Sequence, residues 1–253
     1  MIKKYPLITI IITYYKKKKF IKKTLNSIFQ QSYKNFEVIF VYDDIENEDL
    51  NYVKNLLIKF KKKKLIINKK NLGVAKSRNL AIKHARGSYL AFIDSDDIWK
   101  KNKLKTQLDF MIKGSYLFTF TSYNLINESD KIIGVRKVFF DANYSRLIKS
   151  NFIGLSTVML SKKIFSKVKF PILKTQEDFA LWLMLLKKGY KLKHLNKTLS
   201  SWRMTEDSLS SNKFQKIKDA FTLFYKLENK NFIFSIFSVV VLSYNKLLKN
   251  LTK

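Results

Sequence analysis

Gly87-Ser88-Tyr89-Leu90-Ala91-Phe92-Ile93-Asp94-Ser95-Asp96-Asp97-Ile98-Trp99 is the stretch on which the fold turns. Tyr89 to Ile93 is an uninterrupted apolar run without proline, the pattern of a strand buried on both faces of a parallel sheet. It stops at three carboxylates, so Asp94, Asp96 and Asp97 stand at a strand's carboxyl end. Open α/β sheets bind ligands there, and clustered hard oxygen donors suit Mg²⁺ or Mn²⁺. The competing reading is that Asp94 or Asp96 caps the next turn, since Asp is a favoured N-cap.

The same rhythm extends N-terminally from this stretch. Leu7 to Thr13 reads as a strand, Phe20 to Gln30 as a helix, and Phe36 to Tyr42 as a strand that also ends in acids, Asp43 and Asp44. A helix around Leu50 to Phe60 and a brief strand at Leu65 to Ile67 follow. Val74 to Ala85, between Gly73 and Gly87, then carries helical spacing. Alternating strands and helices predict a parallel sheet with right-handed crossovers, two of its strands ending in acids on one rim.

Past Trp99 the pattern becomes mixed: a helix from Lys103 to Ile112, strands near Leu117 to Tyr123 and Ile132 to Val138, and a loop with Gly154 entering a strand. Ser161 would cap a short helix. Thr175-Gln-Glu-Asp178 opens an apolar helix that ends at Gly189, and Thr followed three residues on by Asp resembles a capping box.

The 253 residues hold 50 Lys and Arg against 19 Asp and Glu, a formal net charge of +31. Such a charge suggests nucleic acid or an anionic membrane. The lysines are spread along the whole sequence, whereas a focused nucleic-acid site clusters its cations on one element, so compositional drift explains them equally well. Absence of cysteine excludes disulfides and thiolate metal sites. No signal-peptide pattern opens the sequence and no run reaches the roughly 20 apolar residues of a spanning helix, which leads us to expect a cytoplasmic protein. The segment from Phe214 onward reads as helical, with Ile217, Phe221, Phe224 and Leu227 on one side, then Phe232, Ile233, Ile236, Phe237, Val240 and Val241. Lysines flank these positions. The pattern fits a helix lying in an anionic membrane interface, at the inner face of the plasma membrane, or one packed on the domain.

Five segments together resemble family 2 glycosyltransferases. They are Leu7-Ile-Thr-Ile-Ile-Ile-Thr-Tyr-Tyr15, Phe36 to Asp44, Asn71-Leu-Gly-Val-Ala-Lys-Ser-Arg-Asn-Leu-Ala-Ile82 continuing through Gly87 to Asp97, Thr175 to Trp182, and Trp202-Arg-Met-Thr-Glu-Asp-Ser-Leu-Ser210. Each is weak alone, but they occur in the family's order across about residues 7 to 210. The resemblance implies an α/β fold: a single A-type glycosyltransferase domain, Rossmann-like, with a mostly parallel central sheet flanked by helices, and here a C-terminal helical tail. Residues 1–211 would form that domain, with 1–99 the nucleotide-binding half and 100–211 the acceptor half, followed by a tail at 212–253.

The resemblance further implies a metal-dependent, inverting transfer of a sugar from a nucleotide donor, UDP-linked, to a hydroxyl of a glycan or lipid-linked glycan. The family's Asp-x-Asp falls on Asp94, Ser95 and Asp96, with Asp96 and Asp94 as ligands of Mn²⁺ or Mg²⁺. Thr13 and Tyr15 would line the base. The family's Asp-Asp-Gly-Ser is altered here: an ungapped match from Phe36 puts Tyr42 on the first Asp and Asp43 on the second, so Asp43 is the expected base contact and Asp44 the shifted option. Arg78 and Arg203 would meet the diphosphate, and Ser208 would be a further contact. Asp178 would be the general base, Glu177 and Trp182 acceptor-side residues. Thr205 occupies the place where the family often has His, and His84 and His194 read as structural. Two other classes stay open: a non-catalytic, basic nucleic-acid-binding protein and a sugar nucleotidyltransferase.

Overall fold

The computed structural model describes residues 5–205 and 212–251. The N-terminal half alternates β1 (Ile8–Tyr14), α1 (Lys18–Phe29), β2 (Phe36–Tyr42), α2 (Leu50–Leu57), β3 (Lys63–Ile67), α3 (Val74–His84) and β4 (Tyr89–Asp94). Then come β5 (Ile98–Trp99), α4 (Lys103–Lys113), β6 (Phe118–Ile126), β7 (Ile132–Arg136), α5 (Tyr144–Leu147), β8 (Met159–Ser161), α6 (Glu177–Lys187) and β9 (Leu192–Arg203). The tail forms α7 (Lys213–Thr222), a π-helical turn at Leu223–Leu227, and α8 (Phe232–Leu251). The strands join in one sheet of order β3-β2-β1-β4-β8-β6-β9-β5, with β7 paired on β6.

The first four strands are parallel, as the alternation predicts, and β8 turns the sheet antiparallel against β4 and β6. Strand periodicity divides the core between the two faces. Ile8, Ile10, Ile12 and Phe40 pack with Ile21, Leu25 and Val53 of α1 and α2, whereas Ile11, Val41 and Phe92 pack with Ala81 of α3 and Leu181 of α6. Gly87 is needed for close approach: a Cβ there would lie 2.6 Å from the Thr9 amide nitrogen.

Trp202 and Arg203 are the last residues of β9. One expectation shifts. In α7 the buried positions are Asp219 and Ala220, with Leu223 and Phe224 of the next turn, while Ile217 and Leu227 face outward. Leu223 and Phe224 join the same core as α6, so the tail packs on the domain.

Candidate active site

The carboxyl ends of β1, β2 and β4 form the rim. Thr13 sits opposite both Val41 and Asp94 in register, half-buried, and Tyr15 follows it, 41% exposed. Asp43 is committed to the loop before α3. Its carboxylate accepts from Asn68 Nδ2 (2.7 Å), the Leu72 amide (2.8 Å) and the Gly73 amide (2.9 Å). Gly73 has φ +80°, which only glycine adopts readily, so this acid and this glycine together set the start of α3. The hydrogen bond to the Asp44 side chain is a single 3.3 Å contact from the Glu46 amide among the described residues. Of the two acids, Asp44 has the free acceptor capacity.

The turn after β4 is anchored from several sides. Thr24 Oγ1 of α1 donates to the Ser95 carbonyl (3.1 Å), the Asp94 amide donates to Ser156 Oγ (3.0 Å), and the Arg203 amide donates to Asp97 Oδ1 (2.9 Å). Asp97 is buried, and burial followed by the charges of Asp96 and Asp94 pushes its carboxyl well above the usual range. Asp96 is raised by burial and by Asp94, partly offset by the Lys17 ammonium 3.1 Å from its Oδ2. Clustered carboxylates with raised proton affinity and a cation already drawn to one of them form a site that favours positive charge.

Arg78, from α3, ties this turn to the helix across the site. Its Nη2 donates to Asp94 Oδ1 (2.7 Å), its Nη1 to Glu177 Oε1, and its guanidinium lies 5.5 Å from the Phe170 ring centre. It is buried, so it fixes carboxylates rather than reaching open space. Glu177 is buried against it and paired with it. Asp178 is half-buried beside this pair. A helix N-terminus favours an ionised acid by about 0.3–1 kcal/mol, yet burial and the charge of Glu177 outweigh it, and with a smaller push from Asp94 they raise Asp178 to about 7. That value suits a group exchanging a proton near neutrality.

The corner carrying Glu177 and Asp178 is held by the tail. No capping box forms: Gln176 is the N-cap, at φ +62°, and Thr175 turns away. The Thr175 amide and Oγ1 donate to Asp219 Oδ2 of α7 (2.7 and 2.9 Å), and Gln176 Nε2 donates to the Lys216 carbonyl (2.9 Å). A non-glycine residue in the left-handed region costs about 1–2 kcal/mol and persists only where its surroundings enforce it. Asp219→Ala should therefore lower stability by about 1–3 kcal/mol, through the unsatisfied buried donors, and reduce turnover while leaving donor affinity unchanged. Thermal melts with separate kcat and KM measurements check this, and full turnover in the folded variant would show that the corner holds itself.

Two more of the expected site residues are buried. Arg203 is fully buried: its Nε donates to the Asp96 carbonyl (2.8 Å), Nη1 to the Asn127 carbonyl (2.7 Å), and Nη2 to Asp130 Oδ1 (2.5 Å), with Phe20 stacked 4.7 Å away. These bonds rivet the Asp94–Asp97 turn to the 127–130 loop. Trp182 is fully buried against Phe118 (4.9 Å) and Phe170 (6.3 Å). Ser208 lies outside the described residues. His84 sits beside Lys64 on the surface and His194 beside Ser122, consistent with structural roles.

Three residues that sequence reasoning passed over also stand here: Lys17, Ser156 and Tyr123. The Tyr123 phenol is pushed up to about 12 chiefly by burial, with Asp97 and Asp178 close enough to add to it. None belongs to the motifs, and a Lys, a Ser and a Tyr in this sequence carry no signal of their own.

The sequence model of Glycosyl transferase family 2 matches residues 9–169. The chain belongs to glycosyl transferase family 2. It is 32% identical over 251 residues to TuaG of Bacillus subtilis (strain 168), a glycosyltransferase named for teichuronic acid biosynthesis, covering 97% of this chain and 98% of that one. It is 33% identical over 216 residues to WfgD of Escherichia coli, the UDP-Glc:alpha-D-GlcNAc-diphosphoundecaprenol beta-1,3-glucosyltransferase, covering 84% and 83%. The fold matches Staphylococcus aureus TarS 1–349 in complex with UDP-GlcNAc, with TM-score 0.70 at 22% identity over 87% of this chain and 65% of that one. It also matches the mannosyltransferase PcManGT of Pyrobaculum calidifontis in complex with GDP-Man and Mn²⁺, with TM-score 0.64 at 14% identity over 90% and 66%. This family 2 chain is a glycosyltransferase with the A-type fold of its relatives, and the nucleic-acid-binding and nucleotidyltransferase alternatives give way to that membership.

Proposed function

We propose that this family 2 enzyme transfers a sugar from a UDP donor, with inversion and the help of Mn²⁺ or Mg²⁺, to a hydroxyl of a lipid-linked glycan. The observation that carries the reading is Asp178, raised to about 7 and within reach of the charge of Asp94 on the donor rim. One acid is thus poised to take a proton beside others suited to a cation. The UDP and undecaprenol-linked substrates in the relatives' names support the donor and acceptor classes.

Two acids suffice for the metal. No group of three or more His, Cys, Asp or Glu residues able to hold an ion occurs among the described residues. Mg²⁺ and Mn²⁺ need no such cage, because they bind through one or two carboxylates plus substrate phosphates and water. Asp96 and Asp94 fit that donor set, and a bound ion would stabilise charge on the leaving diphosphate.

The chain's own groups account for the rest. Thr13, Tyr15 and Asp44 line the nucleoside, with Asp43 shaping the loop behind them. Asp178 accepts the proton of the acceptor hydroxyl as its oxygen bonds to the anomeric carbon and the bond to the diphosphate oxygen breaks. Arg78 fixes Asp94 and Glu177 at once, which keeps the donor and acceptor sides in register.

Melting the protein with UDP-, GDP- and dTDP-sugars, with and without Mn²⁺, tests the assignment. A ligand at about 100 times its Kd adds about 2.7 kcal/mol, so the cognate pair should raise Tm by several degrees. Stabilisation by a UDP-sugar only with the metal, and release of UDP during turnover, are expected. Stabilisation by GDP- or dTDP-sugars alone would reassign the base, and equal stabilisation without metal would remove the ion.

A further inference from the structure

The sequence leaves α8 as either a membrane-interface helix or a packing element, and the structure gives it a face for each. Its inner side is seated: Ser235 is fully buried, Val239 and Leu242 pack on the core, and Asn245 Nδ2 donates to the Lys149 carbonyl (2.9 Å). Phe232 meets Phe221 of α7 edge-on at 5.5 Å. The outward side carries Ile233, Phe237, Val240, Tyr244 and Leu247, spaced four, three, four and three residues apart and between 59% and 77% exposed. That spacing draws one apolar stripe along a helix about 30 Å long. From Phe232 to Asn245 the helix contains no charged residue.

An apolar face this continuous is not left in water without a partner. It does not span a bilayer, because among the described residues no helix is long and apolar enough to cross a membrane. Charge decides what covers it. The chain carries +31, and the only acids from residue 212 onward, Asp219 and Glu228, are buried and engaged with Thr175 and Lys187. Lys213, Lys218 and Lys226 stand exposed beside them in sequence. A second copy would bring the same positive charge to the face and be repelled, whereas an anionic surface would be drawn to it.

We propose that α8 lies flat in the interface of an anionic lipid bilayer, its outward stripe among the acyl chains and its inner face holding the catalytic domain. This assignment goes beyond glycosyl transfer and does not depend on the donor or the base. The inner contacts give it a consequence: α8 docks on the domain whether or not lipid is present, so the attachment is a rigid seat and not a flexible tether. The Asp219 brace places that seat one helix away from the corner carrying Asp178.

The test uses the full chain and sedimentation with vesicles of phosphatidylcholine, alone or with about 30% phosphatidylglycerol. Partition should be tenfold or more stronger onto the anionic vesicles and fall several-fold in about 0.5 M salt. The double variant Phe237→Glu/Val240→Glu changes only exposed positions. It should lose at least tenfold in partition while its melting temperature and its transfer to a soluble acceptor fragment stay at the parent's values. Equal binding to neutral and anionic vesicles, or unchanged binding of the double variant, would overturn the proposal. So would a dimer that the double variant dissociates, in a protein that ignores vesicles, because a second copy would then cover the stripe.

Discussion

Asp178→Asn should lose about 10²- to 10⁴-fold in transfer rate, the usual contribution of a positioned general base, while donor affinity stays within about twofold. The substitution is informative because the structure limits what else it changes. Asp178 Oδ1 accepts the Phe179 amide at 2.6 Å, and an asparagine oxygen can take the same bond. Stability should not fall. A carboxyl raised by burial is held most easily in its protonated form, so its stabilising effect is present at low pH and is lost as pH rises through about 7. Above that pH the neutral Asn should melt at or above the parent. The parent's kcat should climb as pH rises through about 7, as the base ionises, and then level off, a rise the variant should lack. A variant that keeps the parent's rate would remove Asp178 from proton transfer. Glu177, an acid although buried on Arg78, would be the next candidate, since the Tyr123 phenol, pushed up to about 12, stays protonated near neutrality.

The fold was legible because its determinants are local. Buried parallel strands read as apolar runs, and β1, β2 and β4 were evident from composition and from where they stop. The site was legible only in part. Motif matching pointed to Asp94, Asp96, Asp178 and Arg78 as candidates, but a motif gives position and not orientation. Arg203 illustrates the limit: an arginine at a family position suggests phosphate, whereas its neighbours Asp130 and the 127–128 carbonyls, some 75 residues away in sequence, claim its donors. Trp182 shows the same limit, since α6 leaves Asp178 half-buried and buries Trp182, one turn on, in the core. Glu177 and Asp178 are adjacent, yet one is spent on Arg78 and the other is set by it. Only the fold, which brings α3 to α6 across nearly a hundred residues, separates them.

The same separation of roles governs Asp96→Ala, which should abolish metal-dependent binding of the UDP donor, with affinity falling a hundredfold or more, and leave the fold intact. Both halves of that expectation come from the electrostatics of the turn. Burial and the neighbouring charge of Asp94 raise the Asp96 carboxyl, so at neutral pH its ionised form costs the folded state free energy that Lys17 only partly offsets. Removing the charge relieves that cost. Its Lys17 partner keeps Thr205 Oγ1 at 3.1 Å, and the turn keeps the Arg203 bond to the backbone carbonyl of residue 96, so Tm should stay within a few degrees. Binding behaves differently: with Asp94 already shared with Arg78, loss of Asp96 leaves one compromised carboxylate for an ion that needs one or two. Titration with Mn²⁺ and UDP together, then with each alone, measures this without turnover. Retained metal-dependent UDP binding would move the ion to Asp94 and Asp97. A collapsed Tm would instead show that Asp96 holds the turn, which a raised proton affinity argues against, because a carboxylate the fold relied on for stability would be held below its usual range.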